Sequence, residues 1–175
     1  MHYGNIKYCD IADGEGVRTS LFVSGCRNHC KNCFNPETWD FHYGKEFTPH
    51  TVQKIMDSLQ PDYIAGLSLL GGEPMEEENQ KTLASLVRLV KETYPEKNIW
   101  VYSGYRFDVE LQEGGAKYTP YTKEFLSYID ILVDGKFVED LKDLRLQFRG
   151  SSNQRIIDVQ ESLKTDTVVT VSRLR

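Results

Sequence analysis

Thr19-Ser20-Leu21-Phe22-Val23-Ser24-Gly25-Cys26-Arg27-Asn28-His29-Cys30-Lys31-Asn32-Cys33 runs a short apolar strand pattern straight into three cysteines spaced CxxxCxxC. Three thiolates on one loop can hold three irons of a four-iron cluster, because cubane iron-sulfur clusters take Cys ligands and normally want four. One iron is then left without a protein ligand, and an open coordination position is what lets a metal centre react rather than only hold structure. Two other readings remain open at this point. Zinc would need a fourth ligand such as Cys9 or His29, and no second ligand pair is present. A redox CxxC at Cys30 and Cys33 would leave Cys26 unexplained. The spacing therefore favours an open cluster held by Cys26, Cys30 and Cys33, within a loop over residues 25–40.

Outward from that loop, strand and helix patterns alternate. Thr48-Pro49 is a helix start, and Val52, Ile55, Met56 and Leu59 give a helix over residues 49–59 its apolar face. Residues 63–70 read as a near-continuous apolar strand ending at Gly71-Gly72, with a helix behind it from Leu83, Leu86, Val87, Val90 and Tyr94. The acids Glu76, Glu77 and Glu78 open that helix, where the dipole favours negative charge. A strand over 98–102 ends at Ser103-Gly104, and Thr119-Pro120 caps a short helix through Ser127. A strand over 129–133 ends at Asp134-Gly135, residues 139–146 are expected to be helical, and 155–159 to form a last strand. This alternation predicts parallel βαβ units in one α/β domain over residues 1–175. Four or five units are too few to close a full barrel, so the expected fold is an open, partial (β/α) barrel with a mainly parallel sheet.

The chain has 175 residues and a net charge of −5, so it shows no electrostatic footprint for nucleic acid. The arginines at 145, 149, 155, 173 and 175 are interleaved with acids up to Asp166 and read as a solvated face. The longest apolar run is too short to span a bilayer, and no signal-peptide pattern opens the chain. A cytoplasmic protein is expected, and four cysteines with three clustered do not resemble a secreted disulfide framework.

Cys26, Gly72-Glu73, Ser103 and Asp134 each directly follow a predicted strand. In parallel α/β architectures all strand carboxyl ends open onto one face, where ligands bind. Four segments thus converge on one predicted site. Gly71 and Gly72 lack Cβ and let backbone approach a ligand, although a tight turn would use the same residues. Glu73 is also compatible with a first-turn helix charge, and Ser103, Asp134 and Lys136 with turn and surface positions.

The chain resembles the radical S-adenosylmethionine (SAM) superfamily, and within it the glycyl radical enzyme activases. Four matches carry the resemblance: the cysteine motif, Gly71-Gly72-Glu73-Pro74, Asp10-Ile11-Ala12-Asp13-Gly14-Glu15-Gly16-Val17-Arg18, and Val133-Asp134-Gly135-Lys136-Phe137 with Ser151-Ser152-Asn153-Gln154-Arg155. The last pair is similar to the branch that activates anaerobic ribonucleotide reductase.

The resemblance implies a radical SAM type barrel, a [4Fe-4S] cluster and SAM as cofactors. It also implies reductive cleavage of SAM to methionine and a 5′-deoxyadenosyl radical. That radical takes a hydrogen atom from a glycine of an anaerobic ribonucleoside-triphosphate reductase. The implied electron donor is a flavodoxin or ferredoxin. Among site residues, Gly71 and Gly72 with Glu73 would meet the SAM amino group, Asp134 the ribose hydroxyls and Lys136 the carboxylate, with Ser103 a further cofactor contact. Asn32 stands where many members carry an adenine-contacting aromatic, and Phe34 is the candidate replacement for that contact.

A pyruvate formate-lyase type activase, a non-enzymatic iron-sulfur electron carrier and a zinc protein are the alternatives. His29 is expected to pack in the loop and Cys9 to be a small buried residue. Tyr3 to Tyr8 and the acids of the 10–18 segment are candidates for a protein-docking surface. No role is assigned to Asn153, Gln154 or Arg155.

Overall fold

The computed structural model describes residues 1–174. Seven strands form one open sheet: β1 (His2–Asp10), β2 (Val17–Val23), β3 (Lys45–Glu46), β4 (Ile64–Gly71), β5 (Asn98–Ser103), β6 (Ile131–Asp134) and β7 (Arg155–Asp158). Their spatial order is β3-β1-β2-β4-β5-β6-β7, and β2, β4, β5 and β6 form the parallel centre. The helices α1 (Pro49–Leu59), α2 (Glu77–Thr93) and α3 (Thr122–Tyr128) supply the three crossovers between those parallel strands. A fourth helix, α4 (Val159–Thr165), follows β7.

Local chemistry sets these elements. The α1 helix starts where Thr48 and Thr51 form a reciprocal capping box and Pro49 takes the first helical position. Along the central strands, alternate residues point to opposite faces. Leu21, Val23, Leu67, Leu69, Ile99, Val101 and Leu132 pack with Ile55, Leu59, Leu83, Val87 and Phe125 in the main core. Trp100, Ile131, Val133 and Ile156 form a second cluster with Leu174. Burial on both faces explains why these strands read as continuous apolar runs.

The centre is parallel as expected, and three strands at the sheet's edges run antiparallel to their neighbours. β1 and β3 pair antiparallel beside β2, and β7 pairs antiparallel with β6. The β1 strand buries only two of its nine residues and is interrupted by bulges, so no clean alternation marks it in the sequence. For β7 the reason is the connection. Residues 139–146 do not form the expected helix; only a 3-10 turn at Glu139–Leu141 is present. Without a crossover helix, the chain returns antiparallel. The expected cap at Thr119 also shifts: its hydroxyl accepts from the Tyr121 N–H, and α3 begins at Thr122. Among the described residues, no helix is long and apolar enough to cross a membrane.

Candidate metal and cofactor site

The carboxyl ends of β2, β4, β5 and β6 open at one edge of the sheet, with Val23 opposite Gly71 and Ser103 opposite Asp134. A cavity of about 670 Å³ lies there, within the range of small-molecule sites. Its wall holds Cys26, Cys30, Cys33, Phe34, Gly71, Gly72, Glu73 and Ser103, so eight of the eleven predicted site residues come together. Asn32, Asp134 and Lys136 are not in that wall, although Gly135 is.

All three cysteines are free thiols. Burial, reinforced by the nearby Glu73 charge, pushes the Cys26 thiol up to about 11, while the backbone N–H groups of Asn28 and His29 bond its sulfur and pull the other way. Burial and the neighbouring Cys33 also raise Cys30, against a bond from the Phe137 N–H. Asn35 N–H donates to Cys33 Sγ at 3.4 Å. Each sulfur is therefore faced by a backbone donor, the setting that suits thiolate ligands of a cluster. Among the described residues, no group of three His, Cys, Asp or Glu side chains is arranged to hold one metal ion. A single zinc needs its ligands converging on one point, whereas a cubane places each thiolate on its own iron.

Glu73 is fully buried beside this loop. Its Oε1 accepts from Met75 N–H (2.9 Å) and the Ser103 hydroxyl (2.8 Å), and its Oε2 from Asn28 Nδ2 (3.0 Å) and Gly104 N–H (2.7 Å). Burial lifts its carboxyl to about 7 despite these donors. Four donors occupy the carboxylate's four acceptor positions. Glu73 and Ser103 therefore latch the cysteine loop to the end of β5. A second buried acid, Glu76, accepts from Arg27 N–H and Nη1, the Tyr105 hydroxyl and Lys117 Nζ. It clamps the same loop to the start of α2.

Several residues sit differently from expectation. Asp134 is buried, and its oxygens accept from Phe107 N–H (2.7 Å), Arg155 Nε (2.9 Å) and Arg155 Nη2 (2.6 Å). It is turned to the loop after β5 and to β7, not to the cavity. Asn32 is exposed in the left-handed region (φ 57°), a turn position that asparagine tolerates and an aromatic does not favour. Lys136 is exposed, and its carbonyl accepts from Asn153 Nδ2. Cys9 is exposed at a β1 bulge with φ 54°, not buried. His29 stacks on Trp39 with ring centroids 4.5 Å apart, the loop-packing role expected of it. A Cβ on Gly72 would meet the carbonyl oxygens of Gly25, Thr38 and Val23, so its missing side chain makes room for the cysteine loop.

Sequence reasoning missed the walls supplied by Asn28, Trp39, Tyr102 and Arg149, which belong to no spacing pattern. Each has a buried polar atom without a partner: Asn28 Oδ1, Trp39 Nε1, the Tyr102 hydroxyl and Arg149 Nε. Unmet buried donors and acceptors are costly, and their concentration on one wall fits a polar occupant.

The "4Fe-4S single cluster domain" family model matches residues 12–157. The chain is 39% identical over 156 residues to the anaerobic ribonucleoside-triphosphate reductase-activating protein of Enterobacteria phage T4, covering 89% of this chain and 93% of that protein. Proteins of the same name from Haemophilus influenzae and Escherichia coli K12 are each 40% identical. These matches cover 89% and 88% of this chain, and 97% and 96% of the relatives. The chain belongs to the family of anaerobic ribonucleoside-triphosphate reductase-activating proteins. Its match to the cluster domain spans the cysteine loop, the Gly71–Glu73 edge and the Asp134–Arg155 brace.

Proposed function

We propose that this chain activates an anaerobic ribonucleotide reductase by reductive cleavage of SAM at a [4Fe-4S] cluster held by Cys26, Cys30 and Cys33. The observation that carries the reading is the meeting of three free, amide-faced thiols in one cavity whose lining residues include four with a buried polar atom that has no partner. On this reading the open sheet is a partial barrel of radical SAM type, formed by the single domain.

Held by Cys26, Cys30 and Cys33, a cluster would supply one electron for the reductive cleavage of SAM, the chemistry that would lead to removal of hydrogen from the partner's glycine. The chain's own residues bind and orient. Glu73 and Glu76 fix the cysteine loop, and the Gly71-Gly72 backbone edge, together with the free polar atoms of Asn28, Trp39, Tyr102 and Arg149, is offered to SAM. Phe34 stands at the cavity for adenine, tilted against Phe137 with ring centroids 6.4 Å apart. Lys136 lies close enough to Cys30 to favour its thiolate and is available to a carboxylate. Because its oxygens are already engaged, Asp134 positions Arg155 and the Phe107 amide. A flavodoxin or ferredoxin delivers the electron, and a reducing cytoplasm suits such a cluster.

The test mixes anaerobic, dithionite-reduced holoprotein with SAM and the reductase of the same organism. Methionine, 5′-deoxyadenosine and a doublet radical signal on the reductase are expected, and the signal is lost when the reductase's radical-bearing glycine is changed to Ala. No SAM cleavage from protein with a full, reducible cluster overturns the reading. A radical on pyruvate formate-lyase and none on the reductase moves the assignment to the other activase.

A further inference from the structure

Single exposed apolar side chains are ordinary on protein surfaces, but clustered ones mark interaction sites. Among the described residues, the three most exposed large hydrophobic ones are Leu144 (88% exposed), Phe34 (75%) and Ile11 (73%). Leu144 and Phe34 both line the cavity that holds the three cysteines, and Ile11 immediately precedes Ala12 and Asp13, which line it too. Two segments distant in sequence therefore place their most exposed apolar side chains at one opening, and a third, carrying Ile11, adjoins its wall through Ala12 and Asp13. Lys142 links two of them, with its ammonium 5.6 Å from the centroid of the Phe34 ring.

The segment that presents Leu144 is braced. Asn153 Nδ2 donates to the Lys136 carbonyl, Gln154 Nε2 to the Gly135 carbonyl, and Ser152 N–H to the Leu141 carbonyl. Gln154 Oε1 also accepts from the N–H groups of Gly150 and Ser151. These bonds close the neck of the 135–154 loop and give Asn153 and Gln154 a purpose. An apolar tip on a braced loop loses little entropy on contact with a partner.

We propose that the rim formed by Ile11, Phe34 and Leu144 seats the reductase segment that carries the glycine, and that apolar side chains flanking the glycine land on it. The proposal rests on the activase reading above. The hydrogen to be removed sits on a backbone carbon, so the partner's backbone must cross the cavity mouth. Glycine offers no side chain to hold, and the affinity must come from its neighbours. Binding energy from such non-reacting groups is what positions the reacting atom. An apolar rim selects apolar neighbours, and desolvation of a few central side chains commonly dominates such an interface.

The experiment measures affinity of the reconstituted holoprotein for the reductase by biolayer interferometry, alongside dithionite-driven SAM cleavage without the reductase. Ile11→Glu and Leu144→Glu are each expected to weaken reductase binding at least tenfold and to raise the half-saturating reductase concentration to match. Partner-free SAM cleavage by Ile11→Glu stays within about twofold of wild type. Replacing the apolar neighbours of the glycine in the reductase by Ser weakens wild-type binding and adds little to the Glu variants. Unchanged affinity in both Glu variants overturns the proposal. Conversion of a self-associated wild type to monomer, with reductase affinity intact, assigns the rim to a second copy and also overturns it. If wild type binds the reductase but cleaves no SAM, the activase chemistry fails while the affinity ratios still decide the rim.

Discussion

Gly72→Ala adds one carbon where the structure has no room for it. The new Cβ would lie 2.7 Å from the Gly25 carbonyl oxygen and 3.0 Å from those of Thr38 and Val23. All three are backbone atoms, so relief requires moving chain and not rotating a side chain. Gly72 has no positive φ, and the cost is packing alone. The same contact carries two hydrogen bonds, Gly72 N–H to Val23 O at 2.7 Å and Glu73 N–H to Gly25 O at 2.8 Å. Gly25 cannot retreat easily, because its own N–H bonds Thr38 O and its α-carbon abuts the Phe41 ring. Overpacking of this kind costs about 1–3 kcal/mol and each strained bond about 1 kcal/mol. The lower chain entropy of Ala in the unfolded state returns about 0.4–1 kcal/mol. A net loss of about 2–4 kcal/mol is expected, read by urea unfolding of the reduced, cluster-free protein. Cys26 adjoins the displaced Gly25, so iron and sulfide after anaerobic reconstitution should fall below half of wild type. Wild-type stability with a full cluster would show that the backbone around Gly72 has room for the added carbon. Full iron with weakened SAM binding would instead place the added carbon in cofactor space and not against the cysteine loop.

Three further outcomes follow from named contacts. Ala at Cys26, Cys30 or Cys33 abolishes reconstitution of a four-iron cluster while Cys9→Ser retains it, as read by iron and sulfide content; loss of the cluster in the Cys9 variant would sink the open-site assignment. Glu76→Ala strands the largely buried Lys117 ammonium and the Tyr105 hydroxyl, and should cost about 3 kcal/mol in urea unfolding, since removing one partner leaves a charge uncompensated. Asp13 is held up at about 7, from an ordinary 3.8, first by burial and then by its bond and charge contact with Asp10. The native state thus keeps a proton that the unfolded chain gives up near 3.8, and stability from this group falls as pH rises through that window to 7, by about 1–3 kcal/mol after solvent screening. Asp13→Asn should remove that slope, and an unchanged slope in the variant would place its origin elsewhere.

What could be read in the sequence was what local chemistry decides. Thr48-Pro49 marked the start of α1 to the residue because a hydroxyl cap and a proline at the first helical position act within one turn. The central strands were legible because burial on both faces leaves unbroken apolar runs. The β1 strand was not, since its exposed residues and bulges erase the period of two. Nor was the sense of β7, because Glu139 to Leu146 carries enough helical pattern to suggest a crossover that the loop's own hydrogen bonds replace. The cysteine loop and the Gly71–Glu73 edge were placed at the site, but the partners of Glu73 and Asp134 were not. A carboxylate that contacts a ligand and one that braces a loop look alike until their donors are known.

The antiparallel return of β7 gives the Asp134 result its physical sense. In that register Asp134 stands opposite Arg155, and the guanidinium reaches both Asp134 and Asp108. One arginine therefore ties β6, β7 and the loop after β5 at the rim of the cavity. A parallel β7 would begin at the far end of the sheet and could not place residue 155 there. The Asn153-Gln154-Arg155 segment thus does two jobs from one short stretch: its amides close the neck of the 135–154 loop, and its arginine anchors that neck to the sheet. On the rim proposal above, the loop's apolar tip would therefore be held for a partner by the same residues that tie the neck to the sheet.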